Sequence, residues 1–329
     1  MKVGIIGDFT DSQLNEGLKN VAFHLAHELT DYPGIQILRV NNKKISIKTL
    51  RELKQYDPDV IHYVPGPTNA SFILLRFLKL YLKRPKFFFS APYPLFNDSV
   101  VKLINFKATG AFVASNAVKQ RLDSLSFNTH ILPNGVNVEK FTPVSDAQKK
   151  ALRKKYGLQD KFTILHVGHL NRSRDLDLFT KLSTEHQIVV IASPYTEYQN
   201  DKTISDRLRA SGCIVVQESI QDIEEYYQLS DCYVFPAQTM AGSILCPLSI
   251  LEAMSCNLPV ITTDQNGIET LFSEGDGLLF ARYDKEFFDA IEHVKQRSSV
   301  CTNRQKVEKY TWKYISNEIA KIYLASFQE

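Results

Sequence analysis

Residues 1–29 read MKVGIIGDFTDSQLNEGLKNVAFHLAHEL, and this stretch indicates the fold class. The run VGIIGDF is short, apolar and closed by a glycine turn, which is typical of a buried strand. Residues 16–29 then carry apolar side chains three or four positions apart, so these side chains share one face of an amphipathic helix. They are Leu18, Val21, Ala22, Leu25, Ala26 and Leu29. A buried strand followed by such a helix begins a βαβ unit.

The same alternation continues along the whole chain. Apolar runs of strand length occupy residues 35–40, 59–64, 86–90 and 110–115, and then 162–167, 187–192, 213–217, 232–237 and 258–263. Their hydrophobicity is nearly continuous, as a parallel sheet covered on both faces requires. The sequence therefore predicts an α/β protein with two doubly wound, Rossmann-like domains that face a central cleft.

Residues 133–145, PNGVNVEKFTPVS, are turn-rich and mostly polar, which is typical of a linker. We place the first domain at residues 1–140 and the second at residues 141–302. A length of 329 residues agrees with two domains of ordinary size.

Composition excludes several classes of protein. The chain is 44% hydrophobic and 23% charged, with 14 glycines and 13 prolines, so it is neither fibrous nor of low complexity. Its five cysteines form no C-x-x-C pair, which favours buried thiols in a reducing compartment. Without a leader-like start or a long uncharged apolar run, we expect a cytoplasmic protein.

Charge is distributed unevenly between the two halves. Residues 1–143 hold 18 Lys and Arg against 11 Asp and Glu, whereas the remainder holds 21 against 25. The positive charge is densest in the apolar segment 71–89, where Arg76, Lys79 and Lys83 share one helical face. This segment is either a buried helix with one solvated basic stripe or a basic surface that rests on anionic lipid, with the protein peripheral to a membrane. We expect no nucleic-acid partner, because no recognition helix is evident.

Familiar phosphate and metal motifs are missing. No G-x-G-x-x-G follows a strand and no P-loop occurs, which disfavours a dinucleotide enzyme or P-loop NTPase. Asp57 and Asp59 precede a strand, at the wrong end for a site, and Asp175 with Asp177 opens a helix. His24 and His27 share a helix without a third ligand, so a structural role is expected.

Three helix starts carry better signals. Gly17 opens the first long helix. The free N–H groups at its start either bind an anion or have the ordinary role of a capped helix end. The segment 167–179 places His169, Arg172 and Arg174 after a strand, where cations would neutralise a diphosphate. In 241–267 a loop of small residues leads to Pro247 and then to Glu252, whose apolar surroundings demand a polar partner if they are buried.

An ordered series of motifs resembles the retaining glycosyltransferases of the GT-B fold, family four. These motifs cover nearly the whole chain. They are HILPNGVNVEKFTP at 130–143, ILHVGHL at 164–170, DCYVFPA at 231–237, SILEAMSCNLPVITTDQNGIETL at 249–271, GDGLLF at 275–280 and the segment around Trp312. The resemblance implies that residues 303–329 form a C-terminal helix that returns to the first domain.

The resemblance implies metal-independent transfer of a sugar from a nucleotide-sugar, UDP- or GDP-linked, to a glycan or lipid-linked acceptor, with retained anomeric configuration and no separate cofactor. It implies that Glu252 binds the ribose hydroxyls of the donor and that His169 and Arg174 bind the diphosphate. The other donor-binding candidates are Gly17, Gly168, Ser243, Leu248 and Ser249. On the acceptor side the candidates are Asp8, Asp11, Ser90 and Tyr93.

Four positions depart from the family pattern. Ile244 stands where the first of two glutamates is expected, and Pro247 stands where a glycine N–H would face phosphate. His169 replaces an arginine, and the histidine expected after the fourth strand is missing from FFFSAPYP. The competing hypotheses are a non-catalytic GT-B protein that binds nucleotide-sugar, glycan or a partner subunit, and a nucleotide-sugar 2-epimerase.

Overall fold

The computed structural model describes residues 1–10, 16–192, 201–218, 220–239, 243–296 and 301–328. Two compact units make up the chain. Unit 1 comprises Met1–Gly135, Ile244–Cys246 and Trp312–Glu329, and unit 2 comprises Val136–Ser243 and Pro247–Thr311.

Unit 1 is built on a six-stranded parallel sheet in the order β2-β1-β3-β4-β5-β6. Its strands are β1 (Lys2–Gly7), β2 (Gln36–Asn41), β3 (Val60–Tyr63), β4 (Lys86–Ser90), β5 (Gly110–Val113) and β6 (Thr129–Ile131). The helices between them are α1 (Gly17–Thr30), α2 (Ile47–Tyr56), α3 (Asn69–Leu82), α4 (Asp98–Ile104) and α5 (Asn116–Ser124).

Unit 2 repeats this plan in a second parallel sheet, ordered β12-β11-β10-β7-β8-β9. Its strands are β7 (Thr163–Val167), β8 (Gln187–Ile191), β9 (Ile214–Val216), β10 (Cys232–Phe235), β11 (Val260–Thr262) and β12 (Leu278–Phe280). Its helices are α6 (Asp146–Lys155), α7 (Asp177–Leu182), α8 (Lys202–Ala210), α9 (Ile223–Leu229), α10 (Leu248–Ser255), α11 (Ile268–Leu271), α12 (Asp284–Gln296) and α13 (Asn303–Val307).

The predicted α/β fold with two parallel sheets is confirmed, and every apolar run singled out in the sequence contains a strand. Two strands were missed by the periodicity argument, β6 and β12, which are three residues long and lie at sheet edges. An edge strand pairs on one side only, so its sequence needs less continuous hydrophobicity than a central strand does.

The last helix of the chain, α14 (Trp312–Ala325), packs against α1 in unit 1. The Trp312 ring stacks on the His24 imidazole with centroids 4.8 Å apart. A Cβ atom at Gly135 would lie 2.5 Å from the Trp312 ring, so glycine is needed there for the indole to fit. His24 therefore has a structural role, as the sequence suggested.

Three residues from late in the chain, Ile244–Cys246, also belong to unit 1. The Leu245 N–H donates to the Pro92 carbonyl at 2.7 Å. The Asn134 side-chain amide donates to the carbonyls of Leu245 and Cys246 at 3.0 and 2.7 Å. These bonds fix the Ile244–Cys246 segment against the end of the first sheet.

The structure corrects the expectation for α3. Phe72, Leu75 and Leu78 are buried, but the exposed stripe is apolar rather than basic. Ile73, Phe77 and Leu80 are 57%, 46% and 59% exposed. The Lys79 ammonium donates to the Lys107 carbonyl at 2.6 Å, which takes it out of the predicted basic face. The sequence pattern could not show this, because both faces of α3 carry apolar residues.

The remaining motifs of the sequence have structural roles. Arg84 pairs with both Asp57 and Asp59 at the amino end of β3, and Asp177 pairs with Arg207. All five cysteines are free thiols. In the described part of the chain, no helix has both the length and the apolar character needed to cross a bilayer.

Candidate active site

Residues at the carboxyl end of β7 bring a buried cation to the edge of the second sheet. Gly168 follows the strand, and a short 3-10 turn at Arg172–Arg174 then carries Arg174 back toward it. A Cβ atom at Gly168 would lie 2.2 Å from Arg174 Nη1, so the missing side chain makes room for the guanidinium. Arg174 Cζ lies 4.8 Å from the centroid of the Phe235 ring.

Burial makes the protonated, charged form of this arginine less favourable than it is in water. Arg174 is 6% exposed, and the cost of desolvation lowers its pKa to about 10, although the nearby Tyr233 hydroxyl opposes the shift. Arg174 still carries its charge at neutral pH. A buried cation with lowered pKa favours the binding of an anion, because an anion restores the stabilisation that water would have supplied.

His169 lies beside Arg174 and is not a cation at neutral pH. Burial and then the Arg174 charge lower its pKa to about 4. Its Nδ1 atom is buried without a hydrogen-bond partner in the described residues. In the free protein the imidazole therefore contributes one neutral donor or acceptor and not a positive charge.

Glu252 lies on α10 with its carboxylate turned toward two buried tyrosines. The Tyr227 hydroxyl donates to Glu252 Oε2 at 2.7 Å, and the rings of Tyr227 and Tyr233 have centroids 5.8 Å apart. Part of the residue reaches solvent, yet burial of the carboxyl group raises its pKa to about 7, against the hydrogen bond from Tyr227. The predicted polar partner of Glu252 is thus a tyrosine hydroxyl.

The start of α10 supplies backbone donors close in sequence to this carboxylate. Pro247 is the N-cap, and its carbonyl accepts from the Ile250 N–H at 3.1 Å. Leu248 and Ser249 form the first turn, where helical N–H groups lack intrahelical partners. The Ser249 hydroxyl bonds with Tyr233, whose own hydroxyl donates to the Val167 carbonyl at 3.3 Å. Two predicted donor residues of α10, Ser249 and Glu252, are therefore each hydrogen-bonded to one of the two neighbouring tyrosines, Tyr233 and Tyr227.

At the other end of α10, Arg304 fixes the position of the helix. Its guanidinium donates to the Ser255 carbonyl at 2.7 Å and to the Val138 carbonyl at 3.0 Å. An arginine on the last carbonyls of a helix satisfies acceptors that have no backbone partner. Sequence reasoning missed Arg304, because its partners are 49 and 166 positions away in the chain.

Three acceptor-side candidates, Asp8, Ser90 and Tyr93, lie at the carboxyl edge of the first sheet. Asp8 follows β1, where Lys43 Nζ is 2.6 Å from its Oδ2 and the Thr10 hydroxyl donates to its Oδ1 at 2.6 Å. Burial would raise the pKa of Asp8, but these bonds outweigh it and lower the pKa to about 2. Asp8 is therefore an ion-paired carboxylate, and Asp11 lies outside the described residues.

Ser90 ends β4, and its hydroxyl is 2.8 Å from His62 Nε2. Tyr93 is half-buried three residues further on, where its N–H donates to the Gly66 carbonyl at 3.2 Å. A cavity of about 40 Å³ opens beside Ser90 and is lined mainly by apolar side chains, among them Leu25, Leu245 and Trp312. Sequence reasoning found Ser90 but missed His62, which pairs with it across adjacent strands.

Gly17 begins α1 and lies against Ile244. A Cβ atom at Gly17 would be 3.1 Å from Ile244 Cδ1, so the two residues are in close contact within unit 1. The position where the resemblance expects a glutamate therefore carries an apolar side chain packed on the start of α1. Ser243 is the last residue of unit 2 before this segment.

One group of described side chains has spacing suited to a metal ion, namely Glu185, His186 and Glu292. His186 precedes the first residue of β8 and so lies at the opposite edge of the sheet from Gly168. Lys295 Nζ is 3.3 Å from Glu292 Oε1 and already neutralises that carboxylate. This group is not part of the candidate active site.

Comparison with known proteins agrees with this geometry. Residues 161–296 match the family described as Glycosyl transferases group 1. The α-galactosylglucosyldiacylglycerol synthase of Streptococcus pneumoniae is 25% identical over 279 residues, which cover 82% of this chain and 70% of that protein.

Two solved structures share the fold over nearly their whole lengths. Anabaena HepE in complex with UDP has a TM-score of 0.77 at 14% identity and covers 99% of this chain and 100% of its own. Sucrose-phosphate synthase from Thermosynechococcus elongatus has a TM-score of 0.78 at 16% identity and covers 100% of this chain and 99% of its own.

The fold and the arrangement of unit 2 define the class as glycosyltransferases of the GT-B fold. Within that class, residues 161–296 carry the match to the group 1 glycosyl transferases, and the curated relatives indicate that the protein is a glycosyltransferase. The expected family and enzyme class are thereby confirmed.

Proposed function

We propose that the protein transfers a sugar from a nucleotide-sugar, UDP-linked or else GDP-linked, to a lipid-linked or glycan acceptor. The observation that carries this proposal is the neighbourhood of Glu252, Tyr227 and Arg174 at the carboxyl edge of the second sheet. A carboxylate able to accept ribose hydroxyls and a buried cation able to hold a diphosphate are the two features that a nucleotide-sugar requires.

The chemistry follows from these groups. As the bond between the sugar and the diphosphate breaks, negative charge develops on the leaving phosphate. Arg174 and the first N–H groups of α10 are preorganised donors for such charge, and they do not need a metal ion to supply it. The acceptor oxygen forms the new bond to the sugar carbon, and its proton leaves with the diphosphate. We propose that the anomeric configuration is retained, as the family resemblance implies.

Two similar proteins support the choice of substrates. HepE has been solved in complex with UDP-glucose, which favours UDP-glucose as the first donor to test. The Streptococcus pneumoniae relative is named as a synthase of a glycosylated diacylglycerol, which favours a glycolipid acceptor.

A lipid acceptor also fits the surface of unit 1. Ile73, Phe77 and Leu80 form an exposed apolar stripe on α3, and Leu103 on α4, which packs against α3, is 86% exposed. Arg76 and Lys83 flank the stripe. Apolar side chains surrounded by cations bind the interface of an anionic membrane, so we propose that this stripe rests on lipid.

The proposal is tested by incubating the protein with radiolabelled UDP-glucose or GDP-mannose and phosphatidylglycerol vesicles that carry glucosyldiacylglycerol. We expect label in the lipid fraction from one donor, an unchanged rate in EDTA, and an α-linked product from the α-linked donor. Nucleotide binding without transfer to lipid or glycan acceptors would contradict the proposal and favour the non-catalytic alternative. An inverted product would contradict the retaining mechanism.

A further inference from the structure

A buried chain of three side chains ends at Ser90 in unit 1. Tyr323 on α14 places its hydroxyl 2.5 Å from His62 Nδ1, and His62 Nε2 is 2.8 Å from Ser90 Oγ. His62 and Tyr323 are both 0% exposed. Burial lowers the pKa of His62 to about 3, so the imidazole is neutral at physiological pH and carries one proton.

The hydrogen bonds available to the buried groups decide whether His62 Nδ1 or Nε2 carries that proton. Among the described residues, the Tyr323 hydroxyl makes one hydrogen bond, and its partner is His62 Nδ1. If Nδ1 carried the proton, the buried Tyr323 O–H would have no acceptor, at a cost of about 1–3 kcal/mol. With the proton on Nε2, Tyr323 donates to Nδ1 and Nε2–H donates to Ser90 Oγ, so both buried donors are satisfied.

This arrangement leaves the proton of Ser90 directed away from His62. Ser90 is half-buried and lines the cavity of about 40 Å³ at the carboxyl edge of the first sheet. The other polar side chains of the cavity wall are Asn134 and Trp312, and the Asn134 amide is already bonded to Leu245 and Cys246. The cavity has room for a group the size of a hydroxymethyl or a few water molecules, but not for a whole sugar ring.

We infer that the Tyr323–His62–Ser90 chain makes Ser90 a hydrogen-bond donor to a hydroxyl oxygen of the acceptor sugar, with His62 and Tyr323 as positioning residues. The inference rests on the proposed function in that it takes the bound molecule to be a sugar acceptor. It assigns a role to the position after β4 where the family resemblance expects a histidine.

The direct test is the tautomer of His62 in the wild-type protein. Nitrogen-15 NMR of histidine-labelled protein distinguishes Nε2–H from Nδ1–H, and the His62→Gln variant assigns the signal. We expect a neutral Nε2–H tautomer from pH 5 to pH 8. An Nδ1–H tautomer would overturn the inference, because Ser90 would then donate to His62 instead of to a ligand.

Kinetics test the ligand contact itself, with UDP-glucose and vesicles of phosphatidylglycerol and glucosyldiacylglycerol. Ser90→Ala should raise the KM for the glycolipid about 3- to 10-fold with little change in kcat, as expected for one lost hydrogen bond. Tyr323→Phe should raise it less, and the matched control Tyr56→Phe, which removes a hydroxyl bonded to the Gln36 carbonyl, should not.

An unchanged glycolipid KM in Ser90→Ala would overturn the contact. The tautomer measurement requires no turnover, so an inactive wild-type protein would count against the proposed function, while the Ser90 arrangement would still be decided by NMR.

Discussion

The carboxyl edges of the two sheets share one topology and differ in chemistry. At the second sheet, the Arg174 guanidinium and the Glu252 carboxyl group are both buried, and burial shifts both of their pKa values toward the neutral form. At the first sheet, Asp8 is neutralised by Lys43, and beside Ser90 lies a mainly apolar cavity. A parallel sheet therefore provides a place for a site, and a few side chains after its strands decide which ligand chemistry the site supports.

The largest expected effect comes from the buried cation of the second sheet. Gly168→Ala should weaken UDP binding about 10- to 100-fold, because a new Cβ would displace the Arg174 guanidinium and lose a charge-assisted bond. Isothermal titration calorimetry with UDP measures this. Arg174→Ala should have an effect of similar size.

The matched control is Arg172→Ala, which removes a neighbouring cation whose side chain is 90% exposed. Equal losses in Arg172→Ala and Gly168→Ala would mean that general positive charge, and not the buried arginine, binds the nucleotide.

The second prediction tests whether the apolar surface of unit 1 acts separately from the second sheet. Replacing Ile73, Phe77 and Leu80 together by serine should reduce sedimentation with phosphatidylglycerol vesicles about 10-fold or more, because apolar burial in the interface is lost. These side chains are exposed, so the free energy of unfolding and the UDP affinity should change little.

As a control for α3, Ile47→Ser removes an apolar residue of α2 that is 70% exposed. Undiminished vesicle binding by the triple variant would show that this stripe is not the membrane contact.

The third prediction follows from the pKa of Glu252, which burial raises from 4.5 to about 7. Ribose hydroxyls donate to the ionised carboxylate, so UDP affinity should rise about tenfold between pH 6 and pH 8 relative to Glu252→Gln. In the free protein, the native state holds this proton more tightly than the unfolded state does. Its stabilising contribution is therefore complete below pH 4.5 and is lost as the pH rises to 7.

Glu252→Gln is the control, because it removes the carboxyl titration and leaves the ionisation of the UDP phosphate in place. If the wild type and Glu252→Gln have parallel pH profiles of UDP affinity, the carboxylate does not bind the nucleotide.

The smallest expected effect is that of Tyr227→Phe. Loss of the 2.7 Å hydrogen bond should raise the pKa of Glu252 further and reduce UDP affinity at pH 7 by about 3-fold. The effect should disappear at pH 9, where the carboxyl group is ionised in both proteins. A loss that persists at pH 9 would show that Tyr227 acts on the nucleotide by another route. The matched control is Tyr156→Phe, which removes a hydroxyl bonded to a different carboxylate, that of the half-buried Glu225.

The sequence predicted the strands of the two sheets better than it predicted the side-chain contacts at their carboxyl edges. Apolar runs such as 86–90 and 232–237 identified β4 and β10, because strand burial leaves a local pattern. The family resemblance pointed to Glu252 and Arg174 as donor-binding candidates, and it named Gly168 without its reason, which is the space that Arg174 occupies. A packing distance of this kind has no signature in local composition.

The contacts that sequence reasoning missed join residues far apart in the chain. Tyr323 lies 261 positions from His62, and Asn134 lies 111 from Leu245. The low pKa of His169 was also beyond the sequence, because residue type alone does not report burial. Such features depend on tertiary packing and become visible only once the fold is known.

The central claim is that the carboxyl edge of the second sheet binds a nucleotide through Glu252. The most direct measurement is the thermal unfolding of the wild type and of Glu252→Ala with and without UDP. At about 100 times its dissociation constant, UDP should stabilise the wild type by about 2.7 kcal/mol, and Glu252→Ala should lose most of that gain. Equal stabilisation of both proteins, or none of the wild type by UDP or GDP, would contradict the claim.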